Sequence, residues 1–163
     1  MKFPQRILFK LINFWPPFLG AGIRVKHVSN DFLAIDVEMK LRWWNRNYVG
    51  VHFGGSLYAM TDPFYMAMLM ENLGRDYIVW DKAAAIRFVK PGRSTVRACF
   101  RLTRDQIETI RQEANRNRKT EPVFTVSVID DQGVLVAEIE KSLYIRRRSE
   151  PKSEPIKVWL PRH

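Results

Sequence analysis

Residues 47–69 read NYVGVHFGGSLYAMTDPFYMAML, and this stretch decides the fold. From Ser56 to Leu73 nearly every residue is apolar or small, and Gly74 follows as a helix-ending glycine. A helix that is apolar on all sides has to be buried on all sides. The sequence therefore predicts one central helix over about residues 55–73, which begins at a pair of adjacent glycines.

Stretches of alternating apolar and polar residues flank this helix and predict strands. They lie on either side of turns at residues 30–31, 91–92 and 131–133. Because strands joined by short turns are antiparallel, we expect an antiparallel sheet of about six strands. Wrapping this sheet around the central helix gives an α+β fold. Such a sheet cannot cover the helix completely, so we expect a second subunit to close the structure.

The length of 163 residues fits a single domain with a sizeable core. We expect that domain over residues 1–147, with a short N-terminal amphipathic helix stopped by the proline pair at residues 16–17. A basic, proline-bearing tail follows at residues 148–163. Arg6 and Lys10 interrupt the opening apolar run, which is too short to span a bilayer, so we expect no membrane insertion.

The cysteine count and the net charge indicate the compartment and the kind of ligand. Cys99 is the only cysteine, so no internal disulfide and no cysteine zinc site is expected, which favours a reducing, cytoplasmic compartment. The formal net charge of +10 suits an anionic ligand or a nucleic acid, although a solvated basic surface explains it equally well. No nucleic-acid recognition motif accompanies the charge, so we expect no nucleic-acid partner.

The opening stretch, together with this order of elements, resembles the hotdog fold. The sequence is similar to the branch that contains PaaI-type acyl-CoA thioesterases and related tetrameric thioesterase-like domains. The motif of that family runs Asn, two residues, Gly, a short gap, His-Gly-Gly, and then Asp seven residues after the second Gly. The matching residues here are Asn47, Gly50, His52, Gly54, Gly55 and Asp62. Phe53, inserted after the histidine, departs from the motif, and the resemblance covers residues 20–147.

The resemblance implies a catalytic function for Asp62. In PaaI-like enzymes the matching acid faces the glycine turn of the partner subunit and acts as general base or nucleophile. A carboxylate two turns into an apolar helix is also costly, which singles out this residue. An alternative stays open: Asp62 can cap a helix whose first residue is Pro63. On the family interpretation Pro63 lies inside the helix and kinks it.

The glycine pair is predicted to bind the thioester carbonyl. A helix N-terminus leaves N–H groups unpaired, and glycine lets a ligand approach the backbone closely. The N–H of Gly55 would hold the carbonyl oxygen, at roughly 3 kcal/mol per good donor, with Gly54 beside it. Asn47 would align the reactants and His52 would assist, although in an ordinary loop both residues only satisfy hydrogen bonds.

The remaining candidates are predicted to bind substrate. Ser56 and Tyr58 lie near the helix start, and Asp81 falls near the position where related thioesterases place a polar residue that positions water. Basic residues between 87 and 101 crowd two strands that are expected to be neighbours. Among them Arg93 is predicted to contact the phosphates of coenzyme A. Coenzyme A enters as part of the substrate, and neither a separate cofactor nor a metal is expected.

The sequence thus predicts an enzyme that hydrolyses acyl-CoA or acyl-carrier thioesters as a homodimer or tetramer. A hotdog hydratase or dehydratase is one alternative, because such enzymes use a histidine with an acid. That branch has an aspartate about five positions before the histidine, where this chain has Asn47. A non-catalytic protein that binds an acyl ligand is the other alternative.

Overall fold

The structure, a computed structural model, describes residue 9 and residues 11–148. The predicted tail beyond residue 148 and most of the first ten residues lie outside this part of the chain. The elements, in chain order, are a 3₁₀ helix (Ile12–Phe14), α1 (Pro16–Ala21), β1 (Ile23–Val28), β2 (Ala34–Met39), α2 (Gly54–Ala59), α3 (Phe64–Leu73), β3 (Tyr77–Phe88), β4 (Val96–Arg101), α4 (Arg104–Arg116), β5 (Lys119–Thr120), β6 (Val123–Asp130) and β7 (Leu135–Arg147).

The strands form one antiparallel sheet in the order β1-β2-β4-β6-β7-β3, with the two-residue β5 pairing with β7. The turns at residues 30–31 and 131–133 join neighbouring strands, as predicted. The strands on either side of residues 91–92 are not neighbours, because β6 and β7 lie between β3 and β4. The connection at residues 89–95 is long enough for β4 to leave β3 and pair with β2.

The core lies between the sheet and α3. Phe64 of α3 contacts Phe100 of β4, with ring centroids 4.9 Å apart, and Tyr65 stacks on Phe124 of β6 at 4.6 Å. Phe64, Phe100 and Met68 are completely buried. The central strands β4 and β6 therefore hold the apolar helix against the sheet and fix the residues that precede it.

The central helix is interrupted where one continuous helix was predicted. α2 ends at Ala59, residues 60–63 form turns, and α3 begins at Phe64. Pro63 has no N–H to donate to a preceding turn, so the helical ladder stops here instead of only bending. Pro63 itself occupies the N-cap position of α3, and no side chain caps this helix. The carboxylate of Asp62 is therefore available for other contacts.

The proline pair at residues 16–17 begins a helix, although it was predicted only to end one. Trp15 is extended, and Pro16 is the first residue of α1. Proline is tolerated in the first turn of a helix, where its missing N–H would have no intrahelical partner. Among the described residues, no helix is both long enough and apolar enough to cross a membrane.

Candidate active site

An ion cluster around a buried lysine lies at the break in the central helix. Nζ of Lys141 is 3.0 Å from Oδ1 of Asp62 and 3.0 Å from Oδ2 of Asp81. Nζ also donates to the main-chain oxygen of Asp62. The side chain of Lys141 is 0% exposed, that of Asp62 is 47% exposed and that of Asp81 is 27% exposed. The cation is thus enclosed, while both carboxylates reach the surface.

Three elements bring these groups together. Alternation along β7 places Ile139, Lys141 and Leu143 on one buried face of the strand. β3 runs beside β7 with Asp81 opposite Leu143, and the register is irregular between Asp81 and Ala83. Such an irregularity can redirect a side chain, which here accompanies the contact between Asp81 and Lys141. The helix break supplies the third member of the cluster.

Tyr58 adds a neutral hydrogen-bond donor from α2. Its hydroxyl donates to Oδ1 of Asp62 at 2.9 Å, and Nζ of Lys141 lies 5.7 Å from the centroid of its ring. Burial, together with the bond to the carboxylate, raises the pKa of Tyr58, so the phenol stays protonated. Oδ1 of Asp62 therefore receives two donors. Oδ2 has no hydrogen-bond partner within the described part of the chain.

The lysine is charged despite its burial. Burial on its own lowers the pKa of Lys141, but the hydrogen bonds and charges of Asp62 and Asp81 outweigh it, so that the pKa is raised. One ammonium faces two carboxylates, which leaves the cluster with a net charge of −1 when both acids are ionised. Within residues 11–148, no three histidine, cysteine, aspartate or glutamate side chains converge as metal ligands would.

The glycine pair opens α2 about two turns before this cluster. Gly54 and Gly55 are the first residues of the helix, and their N–H groups have no hydrogen-bond partner among the residues described. A Cβ atom added to Gly54 would lie 2.9 Å from the ring of Phe88, and one added to Gly55 would lie 2.5 Å from the ring of Phe53. The turn therefore presents two free donors in a place with little room for side chains.

A surface pocket of about 330 Å³ adjoins the glycine turn. Residues of the motif line one part of it, and the end of β3 with the chain that follows lines the other. The lining residues are Asn47, Val51, His52, Gly54, Leu57, Phe88, Val89, Lys90, Pro91 and Gly92. The pocket thus combines an apolar wall with one lysine and the candidate carbonyl-binding turn.

Asn47 and His52 are tied into the loop that forms this pocket. Oδ1 of Asn47 accepts hydrogen bonds from the N–H groups of Val49 and Val51. His52 is 2% exposed, and its Nε2 lies 2.8 Å from the carbonyl oxygen of Ser94, so Nε2 carries the proton. Nδ1 is buried without a partner in the described structure. Burial lowers the pKa of His52, which keeps the ring neutral. Their predicted catalytic functions remain predictions.

The predicted site residues therefore fall into two groups. Tyr58, Asp62 and Asp81 meet around Lys141, whereas Asn47, His52 and the glycine turn share the pocket. Ser56 lies between the groups in the first turn of α2, where it is half-buried. Within one chain the glycine turn lies at the start of α2, whereas the cluster lies around the end of α2 and the turn that follows it.

The basic residues do not form one patch on adjacent strands, as the sequence suggested, because β3 and β4 are separated in the sheet. Arg87 forms an ion pair with Glu138, and Arg97 forms one with Glu38. Arg93 is exposed and forms no ion pair within the described residues. It stays a candidate for anion binding, three positions after Lys90, which lines the pocket.

Lys141 is not among the site residues predicted from the sequence. The signal was present in VLVAEIEKSLYI, residues 134–145, where an inward-facing position of an alternating strand carries a lysine. A charge at such a position needs a buried partner. The partners lie in segments distant in sequence, so only the fold shows that Asp62 and Asp81 supply them.

Comparisons with known proteins agree with this architecture. The family model described as Domain of unknown function (DUF4442) matches residues 5–145. No curated protein matches the sequence significantly. Among solved structures, the chain is similar to PA5026 from Pseudomonas aeruginosa, a protein of unknown function described as a probable thioesterase. The TM-score is 0.79 and the identity 21%, over 91% of this chain and 99% of that one.

Two further structures are similar over most of their length. Thioesterase HI1161 from Haemophilus influenzae has a TM-score of 0.64 and 16% identity, over 93% of this chain and 96% of that one. A mutant of thioesterase PA1618 from Pseudomonas aeruginosa has a TM-score of 0.65 and 13% identity, over 90% and 97%. The predicted α+β hotdog fold is confirmed by these similarities. At such identities they establish the fold and leave the reaction to be argued from the site.

Proposed function

The chain belongs to the family described as domain of unknown function DUF4442, and we propose that it hydrolyses acyl thioesters, with acyl-CoA as the substrate class. The carboxylate of Asp62 carries the proposal. It is held through Oδ1 by Lys141 and Tyr58, while Oδ2 has no partner in the described residues and the side chain is 47% exposed. A fixed carboxylate with one free, accessible oxygen meets the needs of a general base. The relatives described as thioesterases support this reaction class.

In the proposed reaction, Oδ2 of Asp62 accepts a proton from water as the water oxygen attacks the thioester carbonyl carbon. The carbonyl oxygen becomes an oxyanion that accepts hydrogen bonds from the N–H groups of Gly54 and Gly55, at roughly 3 kcal/mol per good donor. The C–S bond then breaks, and protonated Asp62 returns its proton to the departing thiolate. The products are a carboxylic acid and the free thiol of coenzyme A, and the base is regenerated.

The base and the N–H donors come from different chains in this proposal. Asp62 follows Gly54 by eight positions and lies beyond the end of α2 at Ala59. Among the described strands β3 pairs only with β7, and its Trp80 and Phe88 are exposed. A free strand edge with exposed apolar side chains favours pairing with a second copy. A homodimer, or a dimer of dimers, would set Asp62 of one chain opposite the glycine turn of the other.

Acyl-CoA suits the pocket by charge and by polarity. Leu57, Phe88 and Pro91 form an apolar wall for an acyl chain or for the pantetheine arm. Lys90 lines the same pocket, and Arg93 follows it on the connection to β4. Cations at this rim would bind the phosphate groups of coenzyme A. The chain as a whole carries a net charge of +10, which favours an anionic substrate.

The test is thiol release from a panel of acyl-CoAs, followed with a thiol-reactive chromogen. Asp62→Asn should reduce kcat at least about 100-fold without changing the circular dichroism spectrum, because a general base contributes about that much or more. Asp76→Asn, at an exposed turn, is the matched control and should retain full activity. Full activity of Asp62→Asn would refute the proposal. Hydration of an enoyl-CoA without thiol release would indicate a hydratase, and tight binding without turnover would indicate a binding protein.

A further inference from the structure

Lys141 occupies a position where an apolar residue would be expected. Its side chain is completely buried, and its neighbours on the same face of β7 are Ile139 and Leu143. Among residues 9 and 11–148, it is the only lysine, arginine, aspartate or glutamate that is completely buried. Burying an ammonium group is unfavourable unless the geometry of its partners is good, so a lysine here points to a function other than packing.

The ammonium contacts three oxygens. Two of these belong to one residue, Oδ1 and the main-chain oxygen of Asp62, and the third is Oδ2 of Asp81. The lysine therefore fixes both the backbone of the helix break and the orientation of the carboxylate. Since Oδ1 also accepts from Tyr58, the oxygen of Asp62 that is left for a reaction is Oδ2.

We propose that Lys141 is a positioning residue for Asp62: its ammonium holds one carboxylate oxygen so that the other faces the attacking water. Asp81 completes the arrangement by offsetting the positive charge of the lysine. A one-to-one pair of Lys141 with Asp62 would be neutral and would weaken the base, whereas the second carboxylate keeps the cluster at a net charge of −1. This inference rests on the proposed function, because it concerns the same base.

Few groups face the ammonium of Lys141, so the net charge around it can be counted. Asp62 comes from the helix break, Asp81 from β3 and the Tyr58 phenol from α2. The residues opposite Lys141 on the neighbouring strands, Ala84 of β3 and Phe124 of β6, are apolar. Removing one charged member should therefore change the electrostatic potential at the carboxylate of Asp62 in a direction set by the sign of the charge removed.

The experiment is the pH profile of kcat/KM for acyl-CoA hydrolysis. The acid limb of this profile is the range in which the rate falls as the pH is lowered. Lys141→Met removes a cation, so the acid limb should move to higher pH by about one unit or more. Asp81→Asn removes an anion, so the limb should move to lower pH. Both variants should change kcat much more than KM, because in this arrangement Lys141 and Asp81 act on the substrate only through Asp62.

A double variant separates charge from positioning. Lys141→Met/Asp81→Asn restores the net charge of −1 on the cluster, so its acid limb should return towards that of the wild type. Its kcat should stay low, because the oxygen of Asp62 is no longer held by the lysine. A residue that only supports folding would not shift the limb in opposite directions for opposite charges. Asp81→Asn is a mild change at a partly exposed side chain. If Lys141→Met does not fold, the pH profile of Asp81→Asn alone therefore tests the charge coupling.

Carbon NMR titration of the wild type and variants, with ¹³C-labelled aspartate, provides a readout that needs no turnover. Titration midpoints of the cluster that move up in Lys141→Met and down in Asp81→Asn would support the charge coupling. Unmoved limbs and midpoints, or shifts in the same direction, would overturn the inference while leaving thioester hydrolysis intact. Full turnover by Asp62→Asn, or no hydrolysis of any acyl-CoA by the wild type, would instead refute the proposed function.

Discussion

The ammonium nitrogen of Lys141 lies 3.0 Å from Oδ1 of Asp62, which is 79 residues earlier in the chain. This contact ties the middle of β7 to the interruption of the central helix. Because the lysine is enclosed and Asp62 is half-exposed, the contact joins the core of the protein to its surface. The stability of the fold and the geometry of the candidate base therefore depend on the same pair.

The first prediction concerns stability, measured by urea unfolding at pH 7. Asp62→Asn and Asp81→Asn should each cost about 1 kcal/mol, because each amide still accepts a hydrogen bond and the other carboxylate still balances Lys141. The double variant should cost about 3–5 kcal/mol, since it leaves a buried ammonium without an anion. The two substitutions should therefore be strongly non-additive.

The pH dependence of stability and a control pair of substitutions test this interpretation. The double variant should regain stability between pH 7 and pH 9, because a neutral amine is tolerated in an apolar core. A control pair, Asp76→Asn/Asp105→Asn, changes two exposed carboxylates that have no buried cation and should be additive. Additivity of Asp62→Asn and Asp81→Asn would mean that the lysine does not depend on them jointly.

The sequence predicted the buried helix because its signal is local. Between Phe64 and Leu73 almost every side chain is apolar, which favours a helix packed in the core, and all of these apolar side chains except Met70 are buried or half-buried. The sequence did not predict the break before Phe64, because Pro63 is compatible both with a kink inside a helix and with the start of a new helix. Packing of Phe64 against Phe100 is a tertiary contact, so the structure was needed to choose between them.

Strand partners and the buried lysine needed the fold for a similar reason. Hairpins follow from short turns, but β4 pairs with β2 and β6 across longer connections that no local pattern specifies. The motif indicated Asp62, and the resemblance indicated Asp81. Lys141 lies on the inner face of β7 in the structure, and only the pairing of β3 with β7 brings the carboxylate of Asp81 to it. The candidate base was thus predictable, and the group that positions it was not.

The second prediction concerns acid stability and His52. Burial lowers the pKa of this histidine below its usual 6.5, with the bond to Ser94 partly opposing the effect. The unfolded chain takes up the proton first as the pH falls. The stabilisation is therefore complete above pH 6.5 and is lost progressively below it. The free energy of unfolding of the wild type should decrease from pH 7 to pH 5.

His52→Gln provides the comparison, because glutamine can donate to the carbonyl oxygen of Ser94 but does not titrate. The variant should show a shallower loss of stability over the same pH range. His27→Gln, in the exposed part of β1, serves as control and should follow the wild type. Equal pH dependence of wild type and His52→Gln would show that the buried ring does not govern this range.

The third prediction tests whether two chains share each site. Asp62→Asn removes the base, and Gly55→Val places a branched side chain at the turn that is proposed to bind the carbonyl oxygen. Each variant should be inactive as a homodimer. If a base from one chain works with the turn of the other, a mixed dimer contains one doubly altered site and one intact site. An equimolar mixture, unfolded and refolded together, should therefore recover about one quarter of the wild-type activity.

Mixing Asp62→Asn with wild type under the same protocol controls for the efficiency of refolding and subunit exchange. If base and turn instead act within one chain, every chain in the mixed dimer carries a lesion and the mixture stays inactive, which would place the catalytic groups in a single subunit.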